Sequence, residues 1–416
     1  MAIKRVILHF GMAKAGSSSI QRTLFKNAAA LEKNGFKYLS EWEENHLIKF
    51  KYLFSQYPVS PANTGHLGRP LPNKKRHIKK AIDAMVQVMD TPTECETLIL
   101  SGEYSAELWL DSTIDNIKKF ISKYFRSKDI EVTIVYFVRN PLTWIISFLQ
   151  QRLFKDGFMN KNGDFFESAM KQYDGIINLH KNFSDSLILL KFEDACLSED
   201  GLVGYFLRAI GFSKDRLKDI DVFRENESRC MEVMEFINYV EAVEPRHPCE
   251  HYRSVNPNRF TDDFHCVKNI RGVKFDLPYQ SKVEFWERFR KTVCRLRENT
   301  GIDYTDYEVP PSSAEGETYS EQTIQEFIKV FPDLSFILQK HFLKFFEKKY
   351  METAQTRFKR LHCKGSVPWA IYNSKNKLLS LWSLRIRNKR NNLKKVIGER
   401  MPRTIKTALK RVIYGG

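Results

Sequence analysis

Apolar residues run along this chain in two alternating rhythms. Short, nearly unbroken apolar runs at 5–10 (R-V-I-L-H-F), 97–100, 132–138 and 187–192 predict buried strands, and 35–39 predicts a further short one. Between them the apolar positions recur every three or four residues. Ile20, Leu24, Ala28 and Leu31 fall on one face of a helix predicted over 17–33. The same spacing predicts helices near 112–125, 141–154, 164–181 and 199–210. The run at 132–138 has the continuous hydrophobicity of a strand covered on both faces, as in a parallel sheet. Strands alternating with helices predict an α/β domain with a mostly parallel sheet. Residues 55–75, rich in Pro, Gly and Asn, read as a long loop. From about residue 228 the pattern turns helical, over 228–242, 281–298, 320–331 and 335–360, and 245–280 reads as an insertion loop. There are no internal repeats. The expected organisation is an α/β domain over 1–305, a helical completion over 306–370 and a basic amphipathic tail over 371–416.

Composition narrows the picture. With 42% hydrophobic and 13% aromatic residues, the 416-residue chain can build a large packed core. No apolar run approaches the length of a membrane span. The basic, apolar start M-A-I-K-R-V-I-L-H-F continues into G-M-A-K-A-G without a small-residue cleavage pattern, so it is read as a strand and not as a leader. Seven scattered cysteines with no C-x-x-C pair point to reduced thiols and a cytoplasmic setting. His247, Cys249, His251, His265 and Cys266 cluster, but their spacing fits no common structural zinc site, so no metal is expected. The net charge of +17 is uneven: residues 371–416 hold thirteen Lys or Arg against the single acid Glu399. No nucleic-acid partner follows from a charge concentrated in a tail without a supporting motif.

Two stretches carry candidate chemistry. G-M-A-K-A-G-S-S-S, residues 11–19, lies between a predicted strand and a predicted helix. A glycine-rich turn at a helix start presents free backbone N–H groups and the positive end of the helix dipole to an anion. Gly16 allows close approach, Ser17, Ser18 and Ser19 add hydroxyls, and Lys14 reaches the same cradle. An ordinary tight turn with an N-cap serine has the same pattern. A nucleotide-triphosphatase loop needs its lysine directly after the second glycine; here Ser17 holds that place. The second stretch is V-R-N-P-L-T-W-I-I-S, residues 138–147. Arg139 ends a buried strand, where α/β sheets hold ligands, and Pro141 suits the first position of a helix. Ser147 lies two helical turns on, so Arg139 and Ser147 can share one phosphate. A structural arginine and a surface serine remain the alternative.

Together, K-A-G-S-S-S-I and V-R-N-P-x-x-x-x-x-S resemble the two binding motifs of the sulfotransferase superfamily, which uses 3′-phosphoadenosine 5′-phosphosulfate (PAPS). L-I-L-L-K-F-E-D-A, residues 187–195, and R-E-N-E-S-R-C-M-E-V-M-E-F-I-N, residues 224–238, are similar to further stretches of that superfamily. The resemblance spans roughly residues 4 to 240. It implies a P-loop-like three-layer α/β/α fold with a C-terminal helical extension. It also implies that Lys14, Ala15, Gly16, Ser17, Ser18 and Ser19 hold the 5′-phosphosulfate, and that Arg139 and Ser147 hold the 3′-phosphate. The donor would be PAPS, the product adenosine 3′,5′-bisphosphate (PAP), and no metal would be needed. Lys14 is the candidate for stabilising the leaving phosphate, and Glu103, in L-I-L-S-G-E-Y-S after a predicted strand, the candidate general base. Glu41, Glu43 and His46 compete with Glu103 as bases. His9, in an apolar strand, reads as a core residue. Arg271 and Lys274 offer further cations for a phosphate or an anionic sugar.

The acceptor suggested by the resemblance is a carbohydrate, on a polysaccharide or glycolipid. Aromatic residues at 42–57 and 104–109 are candidates for stacking on sugar rings, with ordinary core packing as the alternative. In the tail, Leu378, Leu379, Trp382 and Ile386, and then Ile405, Leu409, Val412 and Ile413, recur at helical spacing among Lys and Arg. Such segments fit an anionic membrane surface, which would make the protein peripheral at the inner face of the membrane; a solvated or partner-docking helix fits equally. Two rival functions stand beside the sulfotransferase: a P-loop kinase using ATP, and a non-catalytic glycan-binding member of the same fold.

Overall fold

The computed structural model describes residues 2–55, 74–105, 107–156, 165–225, 228–243, 264–313, 320–334 and, between 338 and 345, three pairs of helical residues. The chain divides into two compact units, Met1–Phe342 and Leu343–Gly416. Of the second, only residues 344–345 are described, so the tail reading lies outside the described residues, as do His247, Cys249 and His251.

Five strands form one sheet: β1 (Arg5–Gly11), β2 (Phe36–Tyr38), β3 (Thr97–Ser101), β4 (Glu131–Val138) and β5 (Leu187–Lys191). Their order is β2-β3-β1-β4-β5 and every pairing is parallel. Successive side chains of a strand point to opposite faces. All residues of β1 from Val6 to Gly11 are buried, so helices cover the sheet on both sides. The helices are α1 (Ser17–Lys26), α2 (Ala28–Glu32), α3 (Leu47–Phe54), α4 (Lys74–Asp90), α5 (Asp111–Tyr124), α6 (Pro141–Asp156), α7 (Phe165–Phe183), α8 (Phe192–Leu197), α9 (Gly201–Ala209), α10 (Met231–Val243), α11 (Tyr279–Thr300) and α12 (Glu321–Val330). The three-layer α/β reading therefore holds, with the sheet wholly parallel.

Several boundaries differ from expectation, each for a local reason. The single helix expected over 17–33 breaks at Asn27. That side chain donates to the Thr23 and Asp221 carbonyls (2.9 and 2.8 Å) and accepts from the Asp221 N–H (2.9 Å). The bond belongs to a ladder along α1. Ser19, Thr23 and Asn27, four residues apart, accept from the N–H groups of Glu225, Phe223 and Asp221, two apart, at 2.9–3.0 Å. Four helical residues rise about 6 Å and two extended residues about 6.6 Å, so the helix and the segment 221–225 stay in step. Helices α3 and α4 were not expected at all. Part of the supposed insertion loop also packs: Phe264, Val267 and Ile270 are buried, and Cys230 bridges Lys274 in antiparallel fashion.

Candidate active site

The carboxyl ends of β1, β3 and β4 bring three loops together. β1 ends on Gly11 at φ 83°, and a side chain there would press its Cβ to 3.3 Å from the Glu103 Cα. The turn that follows is closed by the Ala15 N–H on the Met12 carbonyl (3.2 Å). Lys14 sits in the left-handed region at φ 66°, a conformation costing about 1–2 kcal/mol for a residue with a Cβ. Gly16, at φ 80°, opens α1 and, as the N-cap residue, brings no side chain to cap it. Its first-turn N–H groups therefore point to an anion site of the kind helix starts provide. A Cβ on Gly16 would come within 2.0 Å of Leu202 Cδ2, so the Leu202 side chain packs directly on the loop.

The second loop is wired directly to the first. The Arg139 guanidinium donates to the Lys14 carbonyl across 125 residues of sequence, and its Nε donates to Thr143 Oγ1 (3.1 Å). Trp144 Nε1 donates to the Ala13 carbonyl (2.8 Å). The guanidinium lies over the Phe192 ring at 4.7 Å, and burial pulls its pKa down against the opposing charge of Glu193. Pro141 begins α6, and Asn140 Oδ1 caps it by accepting from the Leu142 N–H (2.9 Å). Ser147, two turns along α6, is half-buried and its hydroxyl has no partner among the described residues.

Glu193 fastens this loop from below. It accepts from the Asn140 N–H (3.0 Å), from Thr143 Oγ1 (3.2 Å) and, on its other oxygen, from the Tyr304 hydroxyl (2.9 Å). Tyr304 is shared with the Val138 carbonyl (3.0 Å), and burial with the charge of Glu193 pushes its phenol pKa up. Glu193 lies in the quoted K-F-E-D stretch, but its role was not legible there. Trp144 and Phe192 lie in the quoted stretches without an assigned role, and nothing in the sequence pointed to Tyr304.

No protein-family model matches this chain, and no curated protein matches it. Solved structures similar to this chain include the following two. One is a sulfotransferase from Alicyclobacillus acidocaldarius, at 15% identity over 61% of this chain and 100% of that one, with a TM-score of 0.32. The other is a retinol dehydratase in complex with androsterone and inactive cofactor PAP, at 13% identity over 73% of this chain and 83% of that one, with a TM-score of 0.28.

Among the candidate bases, Glu103 lies at the loops. It is half-buried, its Oε1 accepts from the Ser17 hydroxyl, and its Oε2 has no partner among the described residues. Glu41 is exposed, and Glu43 is exposed and paired with Lys49 (3.2 Å). His46 is not available: it is fully buried, its Nδ1 accepts from the Ser101 N–H (2.9 Å), and burial lowers its pKa to about 3. His9 is a core residue, bonded through Nδ1 to Ser101 Oγ (2.7 Å) and likewise held near 3 by burial. The two imidazoles fix Ser101, two residues before Glu103.

The remaining candidates separate. Ala15 is buried, and Ser18 is half-buried at the start of α1. Ser19 is buried and turned into the ladder with Glu225, so its hydroxyl does not face the loop. Arg271 is exposed, with its N–H on Glu326 (2.5 Å). Lys274 is exposed and, with Arg139, acts electrostatically on Cys196, whose thiol is raised first by burial. Of the aromatics offered for sugar stacking, Trp42, Phe50, Phe54 and Tyr104 are core residues, 0–1% exposed. Among the described residues no helix is long and apolar enough to cross a membrane, and no three His, Cys, Asp or Glu side chains converge as a metal site.

Proposed function

We propose that this protein is a sulfotransferase that moves a sulfuryl group from PAPS to a hydroxyl of a carbohydrate. The observation that carries the reading is the bond between Arg139 and the Lys14 carbonyl, which makes the two motifs one site. The residues fit an adenosine bisphosphate moiety. Gly16 opens α1 without a side chain that could cap its first N–H groups, and among the described residues the half-buried Ser147 hydroxyl has no partner. When bound, the donor supplies an activated sulfuryl group and leaves as the bisphosphate. Lys14 and the N–H groups of the loop neutralise the 5′-phosphate, while Arg139 and Ser147 hold the 3′-phosphate. Glu103 Oε2 takes the proton from the acceptor hydroxyl, with Ser17 fixing the other oxygen. A kinase reading is weaker, because Lys14 precedes Gly16 instead of following it.

The test is calorimetric titration of wild type, Lys14→Ala and Arg139→Ala with adenosine 3′,5′-bisphosphate, ADP and ATP with magnesium. Preference for the bisphosphate is expected, weakened roughly 10- to 100-fold by Arg139→Ala, since a charge-assisted bond contributes about 1.5–3 kcal/mol. Preference for ATP with magnesium would replace the reading with a kinase, and no nucleotide binding would leave a glycan-binding protein.

A further inference from the structure

The crossover between β2 and β3 carries an unusual charge. From residue 45 to residue 82 the sequence holds eight Lys or Arg and no acid. Without this run and the tail, the rest of the chain is net −3. The cations gather at the start of α4, K-K-R-H-I-K-K. Lys75, Arg76, Lys79 and Lys80 are exposed and form no ion pair among the described residues, although Asp83 lies one turn on. Like charges at this spacing repel, and the N-terminal end of a helix is already positive. The arrangement therefore works against α4 unless an anion is present.

The topology puts this end of α4 on the ligand side of the sheet. The far end of the helix is pinned by Asp90 to Lys128 (2.5 Å), three residues before β4 begins, and so lies at the amino edge of the strands. Seventeen residues span about 25 Å, which carries the basic start to the carboxyl edge. There the His77 ring stacks on Tyr52 of α3 at 5.6 Å, and Trp42 Nε1 holds the Ala81 carbonyl (3.0 Å). The start of α3 in turn packs on the backbone beside Glu103, for a Cβ on Gly102 would lie 2.7 Å from the Leu47 nitrogen. Arg139, just past the end of β4, and Ser147, in α6, lie on the opposite side of β1 from β3. A donor held there leaves the β3 side, with α3 and α4, for the acceptor.

We infer that the exposed cations of α4 bind the acceptor, and that the acceptor is an acidic polysaccharide whose carboxylates or sulfates lie along Lys75, Arg76, Lys79 and Lys80. This rests on the carbohydrate reading above. Successive anions on a chain supply the missing counter-charges, and the binding weakens as salt rises.

The experiment titrates the full chain with polyglucuronate and with neutral dextran at two salt concentrations. One variant is Lys75→Gln/Arg76→Gln/Lys79→Gln/Lys80→Gln. The other removes four tail charges, Arg385→Gln/Arg387→Gln/Lys389→Gln/Arg390→Gln. Polyglucuronate binds and dextran does not. The α4 variant binds roughly tenfold or more weakly with a shallower salt dependence, the tail variant loses less, and far-ultraviolet circular dichroism is unchanged in both. The inference is overturned if the α4 variant binds polyglucuronate like wild type, or if the tail variant loses as much. It is also overturned if binding to anionic vesicles or single-stranded DNA falls by the same factor in the α4 variant. Titration with adenosine 3′,5′-bisphosphate, unaffected by either variant, runs in parallel; its failure in wild type would sink the donor reading and leave the polysaccharide comparison valid.

Discussion

Two glycines share a backbone conformation but not an environment, and that difference measures the packing of the loop between β1 and α1. Gly16 has φ 80° and Gly35 φ 82°, so alanine at either position pays the same left-handed strain, about 1–2 kcal/mol. At Gly35 a Cβ meets nothing within 4 Å. At Gly16 it would lie 2.0 Å from Leu202 Cδ2 and 3.5 Å from Phe192 Cε2. Leu202 must move, from a half-buried position beside a loop that also adjoins Phe192, the ring on which Arg139 rests. Overpacking of this kind adds about 1–3 kcal/mol. Gly35→Ala is therefore expected to cost about 1–2 kcal/mol and Gly16→Ala about 2–5 kcal/mol, read from urea midpoints at unchanged slope. Adenosine bisphosphate affinity should survive the first substitution and collapse with the second. Equal stabilities, within about 0.5 kcal/mol, would refute the packing of Leu202 over the loop.

The buried histidines make acid sensitivity predictable: His9 and His46 titrate near 3 folded against about 6.5 unfolded, so the unfolded chain binds more protons below about pH 6.5. Stability is full above that pH and falls toward pH 3, by about 2 kcal/mol per histidine at pH 5; urea midpoints against pH should show it, and His9→Asn with His46→Asn should flatten it. Tyr304→Phe leaves Val138 O and Glu193 Oε2 without their donor, costing about 1–3 kcal/mol by denaturant unfolding and weakening bisphosphate binding severalfold through the loosened Arg139 turn. Lys282 is 1% exposed and bonded to Asp276 (2.7 Å), so Asp276→Ala strands a buried charge and should destabilise by about 3–5 kcal/mol, whereas removing the exposed pair Arg290–Glu287 should change little.

The sheet was legible because strands covered on both faces write themselves as apolar runs, and β1, β3, β4 and β5 fall where those runs lie. Helix α4 was not legible. Its buried stripe, Ala81, Met85 and Met89, is short, and five basic residues at its start hide the period. The two loops could be read from local pattern, since glycine before a helix and Arg-Asn-Pro after a strand are nearby signals. What joins them could not: the Arg139 bond to the Lys14 carbonyl ends on a backbone oxygen, which carries no residue identity. The same holds for Tyr304, a single tyrosine whose partners lie 111 and 166 residues away. Ser19 shows the converse, a hydroxyl of the right type in the right motif that faces the other way because a helix turns 100° per residue.

The ladder between α1 and residues 221–225 imposes a rule of length. A helix counting in fours is matched there to an extended chain counting in twos, so each rung depends on the spacing of all the others. Replacing one rung costs one bond. Inserting or deleting a single residue between Ser19 and Asn27 swings every later side chain a quarter-turn or more off the ladder, and a one-residue slip in 221–225 turns every N–H away. Substitutions among hydroxyl and amide residues at these three helix positions are therefore tolerable, while changes of length in either segment are not, and the helix that follows the glycine-rich turn is held in register by a count more than by any one contact.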